Sequence, residues 1–139
     1  MKKVFDGMVR SAHWMSSATA AVSCPRCNTA MEQGHHPYVV IAEVKRERDR
    51  FICGTDAGYF CPHCPTVVLI SSRIEEMLEF SLGSRRFRYS IEGIVDLEAI
   101  PPEKRHMELG TDENPIPLVP FRNRLPMRKA HLSKGAAQK

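Results

Sequence analysis

The chain has 139 residues and a formal net charge of +4, the length of one ordinary domain. A hydrophobic fraction of 42% supports only a thin core, and no apolar run reaches the roughly 18 residues of a membrane-spanning helix. Residues 121–139 carry Arg122, Arg124, Arg128, Lys129, Lys134 and Lys139 with no acid, whereas residues 91–120 set seven acids against Lys104 and Arg105. This excludes a uniformly basic nucleic-acid binder and leaves a nearly neutral body with a basic tail.

Residues 1–22 read as a flexible leader. Phe5, Met8, Val9 and Trp14 fall at a spacing that fits one short amphipathic helix. Asp6, Arg10 and His13 break the apolar centre that a signal peptide needs. Ala21-Val22-Ser23-Cys24 has the outline of a lipoprotein cleavage site, but Cys24 belongs to a cysteine pair.

That pair, Cys24-Pro25-Arg26-Cys27, is followed by Asn28, a residue that tolerates the left-handed conformation. Gly34 to Pro37 reads as a turn. The β-branched run Tyr38 to Val44 reads as a strand. The charged stretch Lys45 to Arg50 fits a hairpin tip or an exposed strand edge, with a helix over 42–50 as the competitor. Phe51 to Cys53 is the returning strand, and Gly54 to Gly58 a second turn.

The second pair, Cys61-Pro62-His63-Cys64, comes next, and Val67 to Ile70 follow as a strand. Ser71 or Ser72 is placed to cap a helix with Glu75 and Glu76 exposed in its first turn, Ile74, Met77 and Leu78 on its apolar face, and Gly83 at its end. Phe87, Tyr89 and Ile91 alternate with Arg88 and Ser90, the pattern of a strand with one buried face, continuing toward Leu97. Pro115 to Pro120 is expected to be extended against the body, and residues 121–139 to be a disordered basic tail. The expected domain therefore spans 23–120.

Four cysteines in two CxxC pairs, with Cys53 left over, is a poor match to a secreted disulfide framework and a good one to metal-bound thiolates in a reducing compartment such as the cytoplasm. Cys24, Cys27, Cys61 and Cys64 supply the four sulfurs of a closed tetrahedral zinc site, one ion per chain. Iron is the less favoured occupant. Cys53 reads as a small buried hydrophobe, His35 and His36 as solvated residues beside a turn, and His63 as a ring pointing outward from the second pair.

The two pairs, separated by 33 residues with strands between and after them, resemble a zinc ribbon over residues 24–70. The resemblance implies that the four paired cysteines are the ligands and that the domain is a nucleic-acid-binding or protein-docking module. The chain departs from the pattern in two ways. The gap exceeds the commoner roughly 15–20 residues. Pro65 follows the second pair and has no N–H to offer sulfur, so the amide of Thr66 is the expected substitute.

The alternative chemistry is thiol–disulfide exchange through Cys61-Pro62-His63-Cys64, which requires the first cysteine at a helix N-terminus. No hydrolase or phosphate-cradling motif occurs. Two kinds of partner fit. RNA or DNA would meet Arg85, Arg86 and Arg88 with the tail residues Arg122, Arg124, Arg128 and Lys129; on an alternating strand, however, Phe87 and Tyr89 face the core. A protein would meet the proline-bracketed stretch 115–120, unless that arm wraps its own domain. The sequence thus predicts an α+β domain, mostly antiparallel, built as a zinc ribbon with one short helix and an extended C-terminal arm, and non-enzymatic.

Overall fold

The computed structural model describes residues 8–17 and 21–130. The described residues form seven strands and one α-helix: β1 (Ser11–Met15), β2 (Glu32–Val44), β3 (Glu47–Phe60), β4 (Thr66–Ile70), α1 (Ser71–Leu82), β5 (Arg88–Val95), β6 (Leu118–Pro120) and β7 (Arg128–Lys129). One mixed sheet holds them in the order β1-β4-β3-β2-β5-β6, with β7 also on β5. The pairings are antiparallel except that β1 runs parallel to β4.

The long β2–β3 hairpin organises the sheet. Its register begins at Glu32↔Phe60 and ends at Val44↔Glu47, so all of the 33-residue gap except residues 28–31 is two long strands and a two-residue loop. Lys45 and Arg46 form that loop with φ of 52° and 71°. Because the base of the hairpin pairs Glu32 with Phe60, the segments just outside it are brought together, and these carry the two cysteine pairs.

β4 shows how the core is divided. All five of its residues are buried. Val67 and Leu69 join the larger cluster, with Tyr38, Val40, Tyr89 and the helix residues Ile74 and Leu78. Val68 and Ile70 point the other way, into a second cluster with Val22, Met31, Cys24 and Cys61. Strand alternation therefore sets the helix on one face of the sheet and the cysteines on the other.

The expected strands 38–44, 51–53 and 67–70 form, as does the helix ending at Gly83, which adopts the left-handed conformation. Other expectations are corrected. Met8 lies in no helix and Trp14 lies in β1, whose backbone is held by β4; Phe5 lies outside the described residues. Gly34 to Pro37 is not a turn but a bulged part of β2, and Pro37 sits before the point, Tyr38, where β5 takes up the second edge of β2. Gly54 to Gly58 is continuous strand. Its glycines answer a need for space: the His35 ring would meet a Cβ at Gly54 at 2.9 Å, and the Tyr38 hydroxyl fills the space above Gly58.

Helix α1 begins without a serine side-chain cap, and Glu75 is buried at 2% exposure instead of standing in an exposed first turn. β5 ends at Val95, and Leu97 belongs to a short 3-10 helix. The tail is not wholly loose either. Phe121 is buried in the larger core, Asn123 bridges the backbone of Ala12, and β7 pairs with β5. The basic composition hid this because only alternate residues of β7 face solvent. Residues 131–139 lie outside the described residues. The stretch Pro115 to Pro120 lies on its own domain, with β6 on residues Gly93–Val95 of β5.

Candidate metal centre

Each cysteine pair is a tight turn closed by backbone bonds. In the first, the Asn28 amide donates to the Cys24 carbonyl at 2.8 Å and the Cys24 amide to the Thr29 carbonyl at 2.8 Å, with Asn28 at φ 63°. In the second, the Cys61 amide donates to the Thr66 carbonyl at 3.2 Å and the Thr66 amide to the Cys64 carbonyl at 2.7 Å. The expected role of the Thr66 amide as a donor to sulfur is thereby corrected, since a carbonyl has taken it.

The sulfurs find other donors. The Arg26 amide points at Cys24 Sγ at 3.4 Å, and the amides of His63 and Cys64 point at Cys61 Sγ at 3.4 and 3.3 Å. The first cysteine of each pair is buried and receives amides; Cys27 is exposed and Cys64 intermediate. The two turns thus present related environments from opposite sides of the hairpin base.

All four sulfurs lie within 4.8 Å of one another. Cys27 Sγ and Cys61 Sγ are 3.6 Å apart, and none of the five cysteines is in a disulfide. A tetrahedral ion with metal–sulfur bonds of about 2.3 Å separates its sulfurs by about 3.8 Å. The donor set therefore fits a thiophilic metal ion held by four thiolates, and such an ion would fix the two turns to each other.

Protonation describes the same crowding. Hydrogen bonds from the Thr29 side chain and backbone, with a smaller share from Cys64, lower Cys27 to about 6. Cys64 is pushed up to about 12 by its hydrogen bond to Cys27 and by burial. Burial raises Cys24, but the amides of Cys27 and Arg26 outweigh it and the net shift is downward. Thiolates this close repel one another, and a cation in their midst removes the conflict.

The remaining candidates lie elsewhere. Cys53 is half-buried on β3, outside the cluster, and burial raises its thiol. His35 and His63 are exposed, whereas His36 is not solvated as expected: it is 3% exposed with its ring 4.5 Å from Phe60, and burial and Arg10 lower its pKa. The second pair leads into β4, not a helix; α1 begins at Ser71, so Cys61 has no helix N-terminus to activate it.

The basic residues expected to serve nucleic acid are dispersed. Arg85, Arg86, Arg88 and Lys129 share one groove. Arg122 and Arg124 line a different cavity, beside β5 and β6. Arg128 turns inward, 3.6 Å from Glu75 and 4.9 Å from the centre of the Trp14 ring. Phe87 and Tyr89 are core, as alternation requires. The sequence reading missed Lys45 and Arg46 in the groove, although a charged two-residue loop between alternating strands was a signal for them.

Comparison with protein-family models, with curated proteins and with solved structures finds no match for this chain.

Proposed function

We propose that Cys24, Cys27, Cys61 and Cys64 hold one zinc ion and that the chain is a non-enzymatic, zinc-ribbon-like binding module. The observation that carries this is the gathering of four sulfurs within 4.8 Å at the base of the β2–β3 hairpin. Zinc supplies a cross-link here. Four thiolates leave no coordination position for water or substrate, so the site has no means of activating either. Zinc is favoured over iron as the common occupant of closed four-thiolate structural sites.

The metal fixes the hairpin base, and the hairpin then presents its far end to a nucleic-acid or protein partner. Free thiols and a thiolate-bound metal suit a reducing compartment such as the cytoplasm. Thiol–disulfide exchange is the weaker reading, because Cys61 opens onto a strand and a second cysteine pair has no role in that chemistry.

Elemental analysis of untagged protein tests the proposal. One zinc per chain is expected, with none after Cys61→Ser. Iron with the colour of its thiolate charge-transfer bands would change the metal, and a metal-free folded protein with a disulfide inside each pair would replace the proposal with the redox reading.

A further inference from the structure

Two unfavourable local choices converge on one groove at the end of the hairpin remote from the cysteines. The first is the loop, where Lys45 and Arg46 both adopt positive φ. Such a loop is filled at least cost by Asn-Gly, and residues with a Cβ are disfavoured in it. The second is the β5–β7 pairing, where Arg88 stands directly opposite Lys129. Like charges at such positions repel. Residues in disfavoured backbone conformations cluster at functional sites, and both choices have one effect: they concentrate positive charge.

Lys45, Arg46, Arg85, Arg86, Arg88 and Lys129 line an open groove of about 740 Å³ that has Glu43 as its one acid. Arg85 is held by Glu79 at 2.9 Å, and Arg88 lies 3.7 Å from Glu43. Lys45, Arg46, Arg86 and Lys129 make no ion pair among the described residues. Arg85 also lines an open recess with Glu76, Glu79 and Phe80, and Phe80 stands on the surface at 90% exposure.

We propose that this groove is a track for single-stranded nucleic acid, with the cations on its phosphates and Phe80 as a face on which a base stacks. The inference deepens the binding-module reading and rests on it. Cations beside an exposed aromatic are the elements of sequence-tolerant single-strand binding. A protein interface would need an apolar centre, and Phe80 is the one exposed large hydrophobic among the described residues lining the groove or its recess.

Fluorescence anisotropy of a labelled oligouridylate and an oligothymidylate, titrated with the full metal-loaded chain across a salt series, tests this. Binding that weakens as salt rises is expected. Lys45→Asn with Arg46→Gly installs the favoured loop, so the melting temperature holds or rises and metal content is unchanged. The salt slope then falls by about 1.4, at about 0.7 per lost phosphate contact. Phe80→Ala weakens binding by roughly 5- to 150-fold with the slope retained.

A metal-loaded chain that shows no salt-sensitive binding overturns the groove and leaves the metal centre standing. So does binding that neither variant alters, or equally tight capture of labelled polyglutamate. A folded chain that binds the oligonucleotides in this way but holds no metal overturns the metal reading alone.

Discussion

Asn28 does for the first turn what glycine does in many tight turns: it reaches φ 63° and lets its amide close back on Cys24. The second turn has Pro65 at that place, which has no N–H to close back on Cys61. Sulfur needs a donor, and the backbone supplies it by the same route in both turns: the amides of Arg26 and Cys27 serve Cys24, and those of His63 and Cys64 serve Cys61. Replacing Cys61, which accepts two amides and is buried, removes both a proposed ligand and the acceptor for those N–H groups. Cys61→Ser is expected to lose the metal and expose residues 22–31 and 60–66 to limited proteolysis; a metal-replete, protease-resistant variant would contradict its role. His36 yields a second prediction at this scale. Its pKa lies below the usual imidazole value because it is buried and faces Arg10. The unfolded chain therefore binds the proton more readily than the folded one. Stability is fully present above the unfolded value of about 6.5 and declines as the pH falls below it. His36→Gln should flatten that decline in chemical denaturation between pH 5 and 7, and identical pH profiles would refute the assignment.

Between elements, the least expected contact joins the helix, β5 and β7. Glu75 accepts from the Tyr89 hydroxyl at 2.6 Å and pairs with Arg128 at 3.6 Å, while Arg128 also lies over the Trp14 ring. This ties the C-terminal segment to α1 and to β1. Removing one partner of a buried ion pair costs about 3–5 kcal/mol. Arg128 keeps 28% side-chain exposure, so Arg128→Ala is expected to cost about 2–3 kcal/mol. Urea denaturation would measure it, and a change within about 0.5 kcal/mol would mark Arg128 as an ordinary surface residue. No local pattern could have revealed this contact. Glu75 reads as an exposed acid of a first turn and Arg128 as part of a basic tail, and each is drawn inward by a partner far along the chain. Gly54 and Gly58 misled for the same reason, since their glycines make room for His35 and Tyr38 across the hairpin. The β-branched strands, the helix end at Gly83 and the hairpin tip were legible because each depends on neighbours in sequence.

For the molecule as a whole, the sheet separates two apolar clusters, and Cys24, Cys61 and Cys64 belong to one of them. The grouping of four cysteines was legible because paired spacing encodes a tight turn; the length of the hairpin that unites the pairs was underestimated. On the proposed zinc assignment, removing the metal should act unequally on the two faces. A zinc chelator is expected to accelerate amide hydrogen exchange at residues 22–31 and 60–66 much more than at Ile74 to Leu78, whose contacts lie in the helix-side cluster. Uniform acceleration would show that the metal supports the whole fold, consistent with the roughly 10–16 kcal/mol of binding free energy seen in small zinc peptides.

X-ray absorption at the zinc edge of the purified protein tests the central assignment most directly. Four sulfur neighbours at about 2.3 Å are predicted. A shell containing nitrogen or oxygen, fewer than four sulfurs, or no zinc in correctly folded protein would contradict it.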